Sequence, residues 1–388
     1  MEYKWSERVI LSKLREAVKA RNDYAVKFYY DLLKNKNITK DNYDVTSLAI
    51  MERPAKLDYC AFYSTYYLNF SNLPKEVRKQ INKVGTITRD RYQYQRSDYH
   101  ANNRITYTDD DLVTMTHDLF LLFKDPRITR CIGKICNPRN HMIQIIDTDD
   151  YDITNSYLAV KGITTSLGKE TYVEVFRDHT ITDFRAFVHE CFHAIRAMLY
   201  GDYDNERVDL VNYFAELEGR FGDRMAAEYL RYIKEYRMAD NLRIESLYNV
   251  LQDVYLNRII QTILSFSNGN RFDMKRVKEY LSREANIDIK AKDDLTKYMT
   301  INGFDAYTNV LSYLIVLDIF NNMDVESMKD YTHELFRLTN GDGFDNDTLK
   351  NKEGINLVRL LTESPSITFM DDNLRSFREE YKAYKLTK

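Results

Sequence analysis

The stretch TITDFRAFVHECFHAIRAMLY, at residues 180–200, is the part of the chain whose conformation the sequence constrains most. At about 100° per residue, its large apolar side chains fall on one face of a helix. That face holds Phe184, Phe187, Val188, Cys191, Ile195 and Met198. Thr180 and Thr182 are both suitable N-caps, and Asp183 suits the positive end of the helix dipole in the first turn. The pattern therefore predicts an amphipathic helix that buries one side.

A second face of this helix carries His189 and His193, which lie one turn apart between the small residues Ala186 and Ala197. Two imidazoles at this spacing can converge on one tetrahedral zinc ion. Glu190 lies about 100° round from His189, so it can reach water on the metal but not the metal itself. The segment HECFH is thus an HExxH motif, and it predicts a zinc site in which Glu190 acts as the general base.

A third ligand is to be sought in the helix predicted downstream, in NERVDLVNYFAELEGRFGDRMAAEYLRYIKEYRM. Glu216 lies away from the apolar side of that helix and follows His193 by 23 positions, enough for a helix end, a loop and a returning helix. We therefore predict Glu216 as the third zinc ligand, with Glu218, which points to the apolar side, as the reserve. Asp223, two turns after Glu216, is placed to accept a hydrogen bond from the second nitrogen of a ligand histidine. A solvated helix face is the alternative for each of these acids.

The low content of glycine and proline, 12 and 5 in 388 residues, favours helices over strands and turns. We predict a mainly α protein with a zincin-like catalytic core, a small β-sheet beside the active-site helix and two helical lobes around a cleft. Residues 1–140 are expected to form the N-terminal helical lobe and residues 141–388 the catalytic region, packed together as one unit. Strands are predicted at 142–147 and 171–176. The second, as a sheet-edge strand flanking the cleft, would hold an extended peptide by strand addition.

The net charge and the number of cysteines limit the partners and the cellular compartment that we expect for this chain. A formal net charge of −3 gives no electrostatic case for nucleic acid or an anionic membrane as partner. No apolar run approaches the roughly 20 residues of a membrane span, and the N-terminal stretch is amphipathic, without the apolar region of a signal peptide. Four cysteines do not make a disulfide framework in a chain of this length. We therefore expect a cytoplasmic protein.

The residues around the motif resemble the oligoendopeptidase F and thimet oligopeptidase group of zinc peptidases, over roughly residues 142–370. TSLGKETYVEVFRDHTITDFRAFVHECFH is similar to that family's strand, loop and active-site helix, and YFAELEGRFGD to the segment with its glutamate ligand. INGFDAY and LFRLTNGDGFDNDTLKNKEGINLV resemble its closing helices. The resemblance implies one zinc ion per chain, Glu216 as a ligand with Asp223 as the acidic residue that follows it, and a channel that admits short unstructured peptides.

The chain departs from the family in its motif and in its late helices. Phe192 stands in the fourth position of the motif, where the family usually has glycine, so packing near the metal site must differ. Family members use a histidine and several tyrosines on the late helices to stabilise the tetrahedral intermediate. The resemblance puts Tyr298 at one of these catalytic positions, but residues 290–294 contain no histidine. Tyr307 and Tyr313 could compensate, or they are packing residues.

The sequence thus predicts a zinc metalloendopeptidase or oligopeptidase that hydrolyses short peptides, with a zinc-activated water and Glu190 as general base. The missing histidine favours one alternative, a catalytically weak or inactive protein of the same fold that binds a peptide or another partner. A helical interaction protein in which HECFH is accidental is the third alternative.

Overall fold

The structure is a computed structural model, and it describes residues 3–19, 26, 29–30, 32–33, 107–147, 161–167, 170–201, 216–268, 271–285, 306–322, 328–339, 378–379 and 382. Most of these residues lie in helices, and the main sheet has three strands. The prediction of a mainly α protein with a small sheet beside the active-site helix is therefore confirmed. The division into lobes at residue 140 stays a prediction. In the described ranges, no helix has the length and the apolar composition that crossing a membrane requires.

Along the described part of the chain, helices precede and follow a small sheet. In chain order the helices are α1 (Glu7–Lys19), α2 (Asp109–Leu121), α3 (Pro126–Ile135), α4 (Ile181–Tyr200), α5 (Leu217–Tyr232), α6 (Tyr236–Ser265), α7 (Met274–Ala285), α8 (Ala306–Asn322) and α9 (Met328–Thr339). The main sheet contains β1 (Ile143–Asp147), β2 (Gly162–Leu167) and β3 (Glu170–Arg177), and a short hairpin contains β4 (Ser267–Asn268) and β5 (Arg271–Phe272).

The order of strands in the main sheet is β1-β3-β2, which makes β3 the central strand. Val173 of β3 lies opposite Ile143 in the parallel pair with β1 and opposite Thr164 in the antiparallel pair with β2. The expectation that the strand at 171–176 lies at a sheet edge is therefore wrong. Among the described strands of this sheet, β1 and β2 are each paired on one side only, and β2 packs against α4. The sequence does not predict β2, because GITTSL is short and mostly polar and lacks an apolar alternation.

Both faces of the sheet are covered, which explains why β3 is buried along nearly its whole length. On one face, Val173 and Val175 belong to the same core cluster as the apolar residues of α4 and α5. On the other face, Tyr172 and Phe176 pack with Trp5 and the apolar side of α1. The indole Nε1 of Trp5 donates a hydrogen bond to the carbonyl of Val173 at 3.2 Å. The sheet is thus a buried layer between α1 and α4.

Of the helix predicted at 205–238, the structure has Leu217–Tyr232 as α5, which packs against α4. Glu216 is the N-cap of α5, a break separates α5 from α6, and residues 205–215 lie outside the described part. Leu217 and Phe221 point into the shared core, and the ring of Phe221 lies 5.6 Å from that of Phe192 on α4. The first turn of α5 lies beside the middle of α4, since a methyl group on Gly219 would lie within 3 Å of both His189 and His193. This arrangement brings the acidic residues of α5 next to the motif.

Candidate metal centre and active site

The start of α4 is held against the sheet by polar contacts. Thr180 takes the N-cap position, but its hydroxyl does not cap the helix and lies 2.6 Å from Asp178 Oδ1. Asp183, in the first turn, is fully buried and accepts a hydrogen bond from the backbone N–H of Asp178 at 3.1 Å. Lys161 Nζ, just before β2, lies 3.5 Å from the Asp183 carboxylate. These contacts fix the position of the motif helix relative to β2.

Three side chains from α4 and the start of α5 converge at one point. The Nε2 atoms of His189 and His193 are 3.1 Å apart, and Oε2 of Glu216 is 3.2 Å from Nε2 of His189. One ligand atom from each of the three residues lies within 4.8 Å of the others. Ligand atoms at about 2.0–2.2 Å from a tetrahedral zinc are about 3.4 Å from one another, so the spacing suits zinc. The structure therefore brings together the three residues predicted as ligands.

The backbone of α5 leaves room for an ion at this point because residue 219 is glycine. A methyl group on Gly219 would lie 2.3 Å from Nε2 of His189 and 2.7 Å from Nε2 of His193. Any side chain at position 219 would thus occupy the space in front of both ligand nitrogens. Two imidazoles and one carboxylate around an open space are the donor set of a catalytic zinc site, so the residues present fit the metal.

Asp223 lies behind His189, as predicted. Its Oδ1 is 3.1 Å from Nδ1 of His189 and accepts a hydrogen bond from Arg185 at 3.0 Å. Arg220 donates to the other carboxylate oxygen at 3.2 Å. Burial alone would raise the pKa of Asp223, but Arg185 and His189 outweigh it and hold the pKa well below its ordinary value. Asp223 is therefore an ionised acceptor that can hold the imidazole with Nε2 facing the ion.

Glu218 does not join the ligand cluster, so the structure does not favour the reserve ligand. The residue is completely buried, and its Oε1 lies 3.0 Å from Nδ1 of His193. The same oxygen accepts a hydrogen bond from Nε of Arg196 at 3.2 Å. The expected orientation of Glu218 toward the packed side of α5 is right, and its contacts there are polar.

Glu190 is held by β2. The hydroxyl of Thr164 lies 2.8 Å from both Oε2 and the backbone carbonyl oxygen of Glu190. Gly162 gives the side chain room, since a methyl group there would lie 2.5 Å from Cγ of Glu190. Burial raises the pKa of Glu190, and the imidazoles of His189 and His193 oppose this rise. A carboxylate with a raised pKa beside two metal-ligand candidates is suited to proton transfer.

The electrostatic field at the cluster favours a cation. Burial lowers the pKa of His189, but Asp223 and Glu216 outweigh it and raise the pKa to about 10. Burial raises the pKa of Glu216, but the two imidazoles outweigh it and lower the pKa to about 2. Because the carboxylates stabilise positive charge at this position, they also favour a bound divalent ion.

Phe192, which stands where the family that the sequence resembles usually has glycine, is fully buried in a cluster of aromatic rings. The ring centroids of this cluster lie 4.8 to 6.1 Å from that of Phe192 and belong to Phe120, Phe123, Phe221 and Phe336. Gly222 on α5 makes the space for the ring, since a methyl group there would lie 2.6 Å from Cδ2 of Phe192. The larger side chain is therefore accommodated away from the ligand face of α4.

The remaining predicted residues lie elsewhere or outside the described part. Tyr298 lies outside the described residues, as does the side chain of Tyr307. Tyr313 is buried on α8 and lines a small cavity together with Arg220 and Asp223. Its position behind Asp223 agrees with the packing interpretation.

Sequence reasoning missed the two arginines that pair with the buried carboxylates. Arg185 lies four residues before His189, and Arg196 three residues after His193, which places all four residues on one side of α4. That spacing is a signal which a search of the sequence could have used. No comparable signal marks Thr164, because its contact with the motif depends on the path of β2.

Comparison with known proteins supports the fold. No protein-family model and no curated protein matches the chain in sequence. Among solved structures, PZ peptidase A with an inhibitor aligns over 97% of this chain and 71% of its own, with a TM-score of 0.50 and 10% identity. A protein from Bacillus anthracis str. Ames assigned as an oligoendopeptidase F aligns over 97% and 70%, with a TM-score of 0.47 and 13% identity. A Chlamydophila abortus protein assigned as a peptidase aligns over 96% and 62%, with a TM-score of 0.43 and 11% identity.

The likeness to PZ peptidase A shows that the two chains share a fold. At that level, the resemblance predicted from the sequence is confirmed. Because the identity is low, the chemistry has to be argued from the residues of this chain.

Proposed function

We propose that this protein is a zinc-dependent metallopeptidase that hydrolyses short peptides. His189, His193 and Glu216 hold one zinc ion, and Glu190 is the general base. The observation that carries the proposal is the convergence of these three ligand candidates around an open space with a buried glutamate beside them. The fold that the chain shares with PZ peptidase A supports a peptidase in particular.

The role of Glu190 follows from its surroundings. When bound, zinc supplies a Lewis acid that polarises the scissile carbonyl and makes a water molecule more acidic. The carboxylate of Glu190 accepts a proton from the attacking water and later delivers it to the leaving amine. Thr164 holds this carboxylate at 2.8 Å, so that it stays in one orientation during both transfers. Burial raises its pKa, which makes the carboxylate a better proton acceptor.

The substrate is expected to bind along β2. This strand contributes Thr164, whose hydroxyl lies 2.8 Å from Oε2 of Glu190, and Gly162, which leaves room for the Glu190 side chain. Among the described residues its outer edge has no paired strand, so its backbone N–H and C=O groups can pair with an extended peptide. A peptide added there would run past Glu190. The strand-addition hypothesis is thus kept, with β2 in place of the strand at 171–176.

The test combines metal analysis with turnover. Zinc is measured in the purified protein by elemental analysis, and cleavage is followed with a set of short, internally quenched peptides. We expect one zinc per chain and measurable cleavage in the wild type. Glu190→Gln should keep its zinc and lose about 10²–10⁴-fold in rate, because a neutral amide cannot accept the proton.

A matched control is Glu228→Gln, since Glu228 lies on α5 and pairs with Arg224 at 3.3 Å, away from the cluster. This variant should retain both zinc and rate. Zinc without turnover in the wild type and in Glu190→Gln would favour the alternative of a peptide-binding protein. A wild-type protein that holds no zinc would refute the proposal.

A further inference from the structure

Glu218 is a buried carboxylate whose position next to His193 needs an explanation. It lies in the first turn of α5, two residues after Glu216, and is completely buried. An isolated charge in such a place costs several kcal/mol unless it is paired and hydrogen-bonded. Its Oε1 has two partners, Nδ1 of His193 at 3.0 Å and Nε of Arg196 at 3.2 Å.

His189, the other histidine ligand candidate, also has a carboxylate at Nδ1 that is paired with an arginine. Oδ1 of Asp223 lies 3.1 Å from Nδ1 of His189 and 3.0 Å from Nη1 of Arg185. Each imidazole therefore has one carboxylate of α5 at Nδ1, and each carboxylate has one arginine of α4. Because a histidine that donates from Nδ1 carries its lone pair on Nε2, this contact selects the tautomer that can bind a metal through Nε2.

We propose that Glu218 is the positioning residue of His193, and that Arg196 holds the Glu218 carboxylate in place as a hydrogen-bond acceptor. This inference rests on the proposed function, because Glu218 can position a zinc ligand only if His193 binds zinc. It is independent of Asp223, which acts on His189. The competing explanation is that Glu218 serves only as the ion-pair partner of Arg196, which also donates to the carbonyl of Gly201 at 3.2 Å.

Zinc affinity separates the two explanations, because an ion pair that only stabilises the fold leaves the affinity of the folded protein unchanged. Affinity is measured by competition with a chromogenic chelator for the wild type and Glu218→Gln, each shown to be folded by circular dichroism. We expect Glu218→Gln to bind zinc about 10–100-fold more weakly. The control Glu228→Gln removes a charge from the same helix and should bind as the wild type does.

Substitution by cobalt provides a second measurement. The visible absorption bands of the Co²⁺ form should shift in Glu218→Gln and remain unchanged in the control, because only the first variant alters the orientation of a ligand. If Glu218→Gln does not fold, the double variant Glu218→Gln with Arg196→Gln removes both buried charges together. The double variant should show the same loss of affinity.

The outcomes are distinguishable. A wild-type protein that binds zinc, with Glu218→Gln or the double variant of equal affinity, overturns the role of Glu218 and leaves the proposed function standing. A wild-type protein without zinc overturns the proposed function itself. If neither variant folds, ¹⁵N shifts of the zinc-loaded wild type decide. A downfield, slowly exchanging proton on Nδ1 of His193 reports its hydrogen bond to Glu218 and supports the inference, and an Nδ1 proton that exchanges as fast as that of a free imidazole refutes it.

Discussion

Replacing Gly219 by alanine tests whether the open space in front of the two histidines is the metal site. The new methyl carbon would lie 2.3 Å from Nε2 of His189 and 2.7 Å from Nε2 of His193. Normal contacts between such atoms begin at about 3.4 Å, so the overlap is about 1 Å at the nearer nitrogen. At least one imidazole must move by about this distance, while zinc–ligand distances tolerate only about 0.2 Å. The variant should therefore lose a ligand.

The expected loss of zinc affinity is at least about 100-fold, because displacing a ligand costs more than losing one of its outer hydrogen bonds. The fold should survive, since overpacking typically costs about 1–3 kcal/mol and alanine favours a helix over glycine by about 1 kcal/mol. Chelator competition measures the affinity, and urea denaturation measures the stability.

Gly133→Ala is the matched control, because a methyl group on Gly133 in α3 would meet no atom within 4 Å. It should bind zinc as the wild type does and gain slightly in stability. A Gly219→Ala protein that binds zinc with wild-type affinity would refute the location of the site between the two Nε2 atoms.

Three further predictions concern other residues. Phe192→Ala should lower the free energy of unfolding by about 3–5 kcal/mol in urea denaturation, because it leaves a cavity among the surrounding rings; a loss below about 1 kcal/mol would contradict that packing. Thr164→Val should lower kcat about 10–100-fold with zinc content unchanged, because the Glu190 carboxylate loses its hydrogen bond from Thr164. An unaltered kcat would contradict a role of Thr164 in holding Glu190. Glu174→Gln should change how stability depends on pH. Burial raises the pKa of Glu174 from 4.5 to about 8, so the folded state binds more protons than the unfolded state between these values, and the wild type loses stability as pH rises through this window. The free energy of unfolding of the variant, measured by urea denaturation, should therefore equal that of the wild type near pH 4.5 and exceed it by up to about 5 kcal/mol above pH 8. The exposed control Glu279→Gln should show no such gain in stability.

The ligand candidates could be predicted from the sequence because their geometry is local. His189 and His193 are one turn apart on a helix, and this spacing alone sets their common direction. The helix itself is buried on nearly all sides, although the sequence predicts burial of one side only. Glu216 required one further step, since a helix returning against α4 had to bring it close. The step worked because Glu216 directly precedes α5, whose apolar side can be identified in the sequence and packs against α4.

The contacts of Glu218 and Glu190 depend on tertiary structure and could not be predicted in the same way. The burial of Glu218 follows from the periodicity of α5, but its partners His193 and Arg196 lie on another helix. Glu190 is held by Thr164 of β2, a strand whose polar sequence resembles a loop. The edge position predicted for β3 is wrong because β1 and β2 pair with its two edges, and the sequence of β3 alone does not reveal either partner. In the structure, α1 covers the face that would otherwise be exposed.

Anomalous diffraction at the zinc edge from crystals of the purified protein tests the central claim most directly. We predict one strong peak within about 2.2 Å of Nε2 of His189, Nε2 of His193 and the carboxylate of Glu216. No peak at this position in crystals grown with zinc present, or a peak held by other residues, would contradict the account.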